Sequence, residues 1–508
     1  MEYTKTASLH SISNLNNYNA CLFRYLNCIF KKINYPVIQI LEKAKKSKKK
    51  FLRLPVIFIA GILIIAFTGC SPQTRTASLS IDTTQTFSQS GTEIVPERWW
   101  TAFEDRALNQ LVDSALEHNF TLKTAWERLQ ESRAVAERES ASFWPGIDAS
   151  ARSEAARYQT EYVQNLGYEV GLSAGYEVDL WGRIDSRVEA ERLRSQSSLE
   201  DYKTAALSLS AEIVRNWYQL IEAQNQLELA NEQVQTNKKM LKMMETRFGS
   251  GQVRSADILR QRQLLESTKE QKITTETRVH IIENQLSVLI GNTPVNQRGR
   301  STDSLPELPP LPKTGISAEL IKRRPDVQSA FNLLQAADKD LAAAISNQYP
   351  RFSISASYST SADNVENLFR EWGYSLAGNL LAPIFYGGEL KAEVDRSEAI
   401  KNQMLFDYGQ TILEALKEVE DALVQEKKQK EKIQSIKEQV KLAQQTYEQL
   451  RVEYFNGLGS YIDVLTALDE LQRLRRELLT EKMTMFEYRI NLYRALAGGF
   501  KTERETKE

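Results

Sequence analysis

The side chains best able to do chemistry are scarce in this chain. Its 508 residues hold three histidines, His10, His118 and His280, and three cysteines, Cys21, Cys28 and Cys70. A Ser-His-Asp relay or a histidine metal centre would have to use His118 or His280, and neither lies in a recognisable motif. The cysteines lack the spacing of a zinc site and are too few for a disulfide framework. Carboxylates are the other candidates. Asp257 and Asp463 each follow a glycine-containing turn, and Glu169, Ser173, Glu177 and Asp179 fall at alternate positions of one stretch. Such groups attract cations and repel one another. They supply no nucleophile or paired acid and base, so the chain reads as a non-enzyme with no cofactor and no metal.

Charge is distributed unevenly. Of 65 Lys and Arg, 11 lie in residues 1–69, six of them within Lys43–Lys50, against only Glu2 and Glu42. The remainder carries a net charge of −10, which argues against a nucleic-acid binder. After Lys48, Lys49, Lys50 and Arg53 comes an uncharged apolar run, Leu54–Gly69, the pattern of a secretory signal and short for a spanning helix. Its end, Phe67-Thr68-Gly69-Cys70, resembles the bacterial lipobox. That resemblance implies a lipidated Cys70 as the mature N-terminus, and Ser71 is compatible with sorting to the outer membrane. The alternative is a signal anchor with an incidental cysteine. Residues 1–47 make an unusually long n-region, read as a misassigned start or a cleaved extension.

The elements that must position these residues occur twice, at a shift of 205–207 residues. Ala125-Trp126 and Phe143-Trp144-Pro145 match Ala330-Phe331 and Gln348-Tyr349-Pro350. Trp181-Gly182 matches Tyr386-Gly387; Gly251 and Asp257 match Gly457 and Asp463. The expected organisation is a signal region 1–69, a lipidated segment 70–104, repeats 105–291 and 317–498, a Pro-rich linker 292–316 and a tail 499–508. Each repeat reads as a helix of about 30 residues, then strands, then a long helical hairpin. From Tyr168 to Leu180 apolar residues alternate with polar ones, and Phe352, Ile354, Ala356 and Tyr358 alternate with serines. Trp372, Tyr374, Leu376, Leu380 and Ile384 form a further strand face. Steps of three and four, such as Ile433, Ile436, Val440, Ala443, Tyr447, Leu450 and Tyr454, predict helices over Arg183–Phe248 and Glu389–Phe455. Matching positions in the first repeat run from Leu227 through Asn237 to Phe248. The hairpins return as Ser255–Ile290 and Ser460–Leu496.

Four strands cannot close a barrel, for which about eight are the minimum. An open sheet would expose two unpaired edges, which lipid does not tolerate. Either the sheet packs on something soluble or several chains share one barrel. Tyr162, Tyr168, Trp181, Trp372 and Tyr386 sit near strand ends, where an interfacial girdle would lie or where ordinary strand aromatics occur.

Two stretches carry a family resemblance. Ile321-Lys322-Arg323-Arg324-Pro325-Asp326-Val327, followed by Ala336-Ala337 and Tyr349-Pro350-Arg351-Phe352-Ser353, is one; Tyr454-Phe455-Asn456-Gly457-Leu458-Gly459-Ser460-Tyr461-Ile462-Asp463-Val464-Leu465 is the other. Both are similar to signatures of TolC-like outer-membrane factors, lipoprotein branch. The resemblance spans about residues 70–498. It implies a mainly α fold with β: a trimeric 12-stranded outer-membrane β-barrel, four strands per chain, continued by a coiled-coil α-helical periplasmic tunnel. It implies a passive conduit for small molecules, fed by an inner-membrane pump of the resistance-nodulation-division type through a periplasmic adaptor. Protein secretion, or a lipid-anchored periplasmic scaffold, are the alternatives. Glu169, Ser173, Glu177 and Asp179 would then line the lumen or be merely solvated. The turns with Gly251, Ser255, Gly457 and Ser460 would meet the adaptor, or Gly251 and Gly457 would serve the backbone turn alone. Asp257 and Asp463 would ring a closed tip or simply favour first helical turns. The family pattern pairs Tyr454 with Asp257; its arginine after the second turn is here Gly459.

Overall fold

A computed structural model describes residues 86–157, 164–294, 305–315 and 317–507; the leader, Cys70 and Tyr162 lie outside the described residues. The first repeat contains α1 (Arg106–His118), α2 (Phe120–Ser140), β1 (Gly146–Arg157), β2 (Gln164–Val178), α3 (Arg183–Gly249) and α4 (Ser255–Leu289). The second contains α5 (Ser317–Arg323), α6 (Pro325–Ser346), β3 (Arg351–Ala362), β4 (Gly373–Leu381), α7 (Glu389–Phe455) and α8 (Tyr461–Leu496); α9 (Glu503–Lys507) follows. The expected single helix of about 30 residues is broken in both repeats. In the first, the Asn119 side chain accepts from Leu122 N at 2.9 Å and starts a new helix. In the second, Pro325 holds Arg324 in an extended conformation. Trp372 and Ile384, expected on a strand, lie just outside β4.

The strands form one antiparallel sheet in the order β1-β2-β3-β4. Register makes its two faces chemically distinct. Leu172 faces Ala149 on one side and Tyr358 on the other; Tyr358 faces Tyr374, and Phe352 faces Leu380. Directly opposed residues share a face, so these rows make a continuous apolar surface. The opposite face holds Glu169 against Arg152, Ser173 against Asp148 and Ser357, and Ser353 against Asn379. No helix among the described residues is long and apolar enough to cross a membrane. The 12 residues of β1 and 15 of β2 exceed the roughly 9–11 a tilted strand needs to do so.

Helices α3 and α7, 67 residues each, run about 100 Å at 1.5 Å per residue. The shorter helices fill the rows beside them. α3 lies between α2 and α4 on one flank and α6 and α8 on the other, and α7 packs on the far side of α6 and α8. Every level of this wall therefore has four rows, two from each repeat.

Segments outside the repeats supply much of the largest core. Trp99 and Trp100 are fully buried among Tyr202, Tyr218, Phe486, Tyr493 and Phe500. Trp99 Nε1 donates to Ser210 Oγ at 3.0 Å, and Trp100 meets Phe500 edge-on at 4.9 Å. The proline linker is strapped down by buried Arg489, which donates to the carbonyls of Pro309 and Pro310 and pairs with Glu426. Breaking a buried pair of this kind costs about 3–5 kcal/mol.

The Arg324-Pro325-Asp326 motif is a structural clamp. Arg324 donates to both Asp326 oxygens, at 3.0 and 2.6 Å, and to Glu418 on α7 at 2.9 Å. Burial alone would raise the Asp326 pKa, but the Arg324 hydrogen bonds and charge outweigh it and hold the carboxyl below its ordinary 3.8. The ionised form is therefore favoured by folding. Its contribution is present above the ordinary carboxylate value and is lost as pH falls through the depressed one. Asp326→Asn should lower the melting temperature at neutral pH and flatten its decline below about pH 4; thermal scans from pH 3 to 7 test this, and parallel curves for the two proteins would refute the clamp.

Candidate functional site

The polar sheet face and the tip of the helical hairpins are the two places where the expected residues gather. On the sheet, Glu169 and Ser173 lie exposed on the polar face. Glu177 lies there too, but Arg183 holds it at 2.8 Å. Asp179 is a correction. β2 stops at Val178, and the Asp179 carboxylate turns back to accept from Arg183 N at 2.7 Å and Asp185 N at 2.8 Å. Gly182, in the left-handed region at φ 70°, offers α3 no capping side chain, so Asp179 satisfies its first donors. Trp181 is half-buried: its Nε1 donates to Pro350 O at 2.7 Å and its ring lies 5.1 Å from Tyr349, joining the repeats. Trp144, Tyr349, Phe385 and Tyr386 are exposed at that end of the sheet.

At the tip, both turns need glycine for the same reason. Gly251 has φ +74° and Gly457 φ +76°, with open space where a Cβ would stand; the backbone conformation alone demands glycine. Each turn closes its helix in the same way. Gln252 N reaches Arg247 O at 3.0 Å, and Leu458 N reaches Glu453 O at 2.9 Å. The serines differ: Ser460 Oγ caps α8 by accepting from Ile462 N at 3.4 Å, whereas Ser255 is the first residue of α4 and caps nothing.

The two aspartates are not equivalent. Asp463 is exposed, while Asp257 is 4% exposed. Asp257 accepts from Arg254 at 3.2 and 3.4 Å and from Arg260 at 3.4 Å. The expected Tyr454–Asp257 bond is not made within the protomer. Tyr454 instead directs its hydroxyl to Met244 Sδ at 3.6 Å, and the Arg247 guanidinium lies 5.6 Å from its ring and 4.9 Å from that of Phe455. Two arginines on the aspartate's own helix start outcompete a neutral phenol for the charge. Above the turns, Met240, Met244, Ile258, Tyr447, Tyr461, Val464 and Leu468 pack into one apolar cluster.

Above that cluster the contact among α3, α4 and α8 becomes polar, which the periodicity concealed. Asn237 is fully buried; its amide donates to Thr268 Oγ1 at 2.8 Å and Gln472 Oε1 at 3.4 Å. Gln261 donates to Asn237 O at 3.1 Å and accepts from the Tyr461 hydroxyl. Higher still, Arg476 donates to Gln233 at 2.8 Å, and buried Glu222 lies 3.0 Å from Arg278. The one sequence sign was Asn237 standing in an apolar seam where the other repeat has Ala443. Burial pushes the Tyr461 phenol far above its usual range, helped by nearby Tyr454, Tyr447 and Asp257.

An open sheet with one lipid-compatible face, joined to helices of about 100 Å, defines one sector of a membrane-crossing conduit. The family model described as outer membrane efflux protein matches residues 111–292 and 316–498. The chain belongs to that family, and it is the outer-membrane channel of a tripartite efflux system, reaching from the outer membrane into the periplasm. It is 26% identical over 467 residues to the pyoverdine export outer membrane protein OpmQ of Pseudomonas aeruginosa, covering 88% of this chain and 97% of that one. It is 26% identical over 458 residues to the cation efflux system protein CusC of Escherichia coli K12, covering 88% and 100%. The solved Campylobacter jejuni CmeC outer membrane channel superposes with a TM-score of 0.78 at 22% identity, covering 86% and 97%, and shares the fold. The fold class read from the sequence, including the barrel continued by a helical tunnel, holds.

Tyr461→Phe removes the hydroxyl that satisfies buried Gln261 and should cost about 1–3 kcal/mol. The expected readout is a lower melting temperature with unchanged helix content by circular dichroism; an unchanged midpoint would show that the phenol carries no share of the packing.

Proposed function

We propose that three copies of this chain close into a passive conduit with a resting gate at the hairpin tips. The observation that carries this reading is the placement of free edges. The sheet ends in β1, from the first repeat, and β4, from the second. The helical wall ends in the row of α2 and α4, from the first repeat, and in α7, from the second. Joining β4 and α7 of one copy to β1, α2 and α4 of the next satisfies both layers at once. Two copies would give a barrel of about eight strands, filled by its own side chains; three leave a lumen.

Apolar rows lie on those helical edges. Phe406, Leu413, Val424 and Leu442 are exposed on α7 and, at about 100° per residue, fall within about 20° of one line. Leu259, Ile273, Ile281 and Val288 are exposed along α4. Burying one row against the other would account for both.

The conduit does no chemistry and holds no cofactor; a pump and an adaptor supply energy and cargo. Cys70 carries the lipid that anchors the mature N-terminus. The tip turns around Gly251, Ser255, Gly457 and Ser460 meet the adaptor, and the pump is of the proton-driven resistance-nodulation-division type. The cargo is small molecules or ions, in keeping with the pyoverdine and cation named for the relatives. Asp257 and Asp463, brought together from three copies, ring the aperture. The arginine-bound Asp257 holds the first turn shut, while Tyr454 packs rather than latches. The secretion alternative and the scaffold alternative both give way to efflux, the function of the family.

Leu413→Glu combined with Val424→Glu should convert the detergent-extracted trimer to monomer, read by light-scattering mass. A wild-type monomer in detergent would end the shared-barrel reading. Asp257→Ala should raise single-channel conductance severalfold and Tyr454→Phe should leave it nearly unchanged; an unaltered Asp257→Ala channel would remove the gate from the first turn.

A further inference from the structure

The connection between β3 and β4, residues 363–372, lies at the end of the sheet away from the helices, where a lid over the mouth would be placed. Its direction is fixed by two contacts. Thr360 is directly opposite Val170 and so points to the apolar face of the sheet. The Thr360 hydroxyl donates to the Leu368 carbonyl, and both residues are buried. Trp372 stacks on Tyr358, another residue of the apolar face, with ring centroids 4.7 Å apart and planes 12° apart. The connection therefore doubles back over the outside of the sheet and leaves the polar face uncovered. It is an ordered turn: Asn364 caps it by accepting from Asn367 N at 3.1 Å.

Folding outward leaves Val365 58%, Phe369 64% and Trp372 42% exposed, interspersed with Asp363, Glu366, Arg370 and Glu371. Apolar and aromatic groups mixed with charges suit the boundary between hydrocarbon and headgroups, where aromatic rings lower their free energy and charges stay wet. The patch is continuous with the apolar sheet face through Tyr358 and Tyr374.

We infer that residues 363–372 form a foot that inserts Val365, Phe369 and Trp372 into the outer-leaflet lipid interface, rather than a lid over the lumen. The inference rests on the reading above that the apolar sheet face meets lipid. The test is therefore built to separate the two.

The full-length channel is reconstituted in phosphatidylcholine vesicles with a bimane probe at Phe369→Cys and, separately, at Leu376→Cys in mid-strand. Unlabelled-position protein serves as the blank. Quenching is measured with lipids brominated near the headgroup or deep in the chain, and with aqueous iodide. The foot predicts that the probe at 369 is quenched about twofold more by shallow than by deep bromine and is shielded from iodide, while the probe at 376 favours deep bromine. Adding Thr360→Val, which keeps the side-chain shape and removes the hydroxyl, should transfer the 369 probe to iodide. A lipid-quenched probe at 376 with an iodide-quenched probe at 369 overturns the foot alone. Iodide quenching at both overturns the membrane face and the foot together. Shielding of 369 from both quenchers overturns the foot in favour of a protein occupant.

Discussion

A row of unpaired backbone N–H and C=O groups cannot rest in hydrocarbon, and everything in this chain is arranged around that constraint. The sheet has four strands and hence two free edges. The chain cannot satisfy them alone, because the strands on the edges are the outermost strand of each repeat. The duplication answers this: it makes both ends of the protomer, in sheet and helical wall alike, the complementary faces of one join. In the proposed trimer the apolar rows on α4 and α7 would extend that join from the barrel down the tunnel wall.

The helical part depends also on buried polar groups that pair across its rows. Within the α3–α4 hairpin, Leu220, Val279, Ile282 and Leu286 pack together, and Asn237 bonds Thr268 and Gln261 nearer the tip. Between the hairpins, Asn237 and Gln233 donate to Gln472, Arg476 donates to Gln233, and Tyr461 donates to Gln261. A polar contact between rows fixes register strongly, since a slip of one turn would strand buried amides. It also contributes less to net stability than the same area of apolar packing, since separation returns those amides to water. The wall is thus specified in detail without being welded. The arginine-bound Asp257 and the cation–π contacts of Arg247 finish the same pattern at the tip.

Much of the architecture was legible because its periodicities are long and its breakers are few. The ends of α3 and α7, and the starts of their return helices, fall within a residue or two of where glycine turns and the three-four pattern place them. The alternation of β2 and β3 predicted their faces. β1 was nearly invisible: Asp148, Ser150 and Arg152 lie on the polar face, while Ile147, Ala149 and Ala151 offer few apolar atoms opposite. The split of each first helix was missed because Asn119 and Pro325 act through local backbone chemistry that does not interrupt the apolar pattern.

The candidate site was legible as a set of residue types and not as a set of partners. The sequence by itself determined the duplication, the two-faced strands and the glycine turns, since each depends on spacing within a few residues or on repetition. Only the tertiary structure decided that Asp179 caps a helix, that Asp257 is held by Arg254 and Arg260 and not by Tyr454, and that the β3–β4 connection lies outside the sheet. It also decided that Trp99 and Phe500, outside both repeats, complete the core. A carboxylate or phenol bonds whichever donor the fold brings within about 3 Å, and residues hundreds of positions apart become neighbours only when the chain has closed.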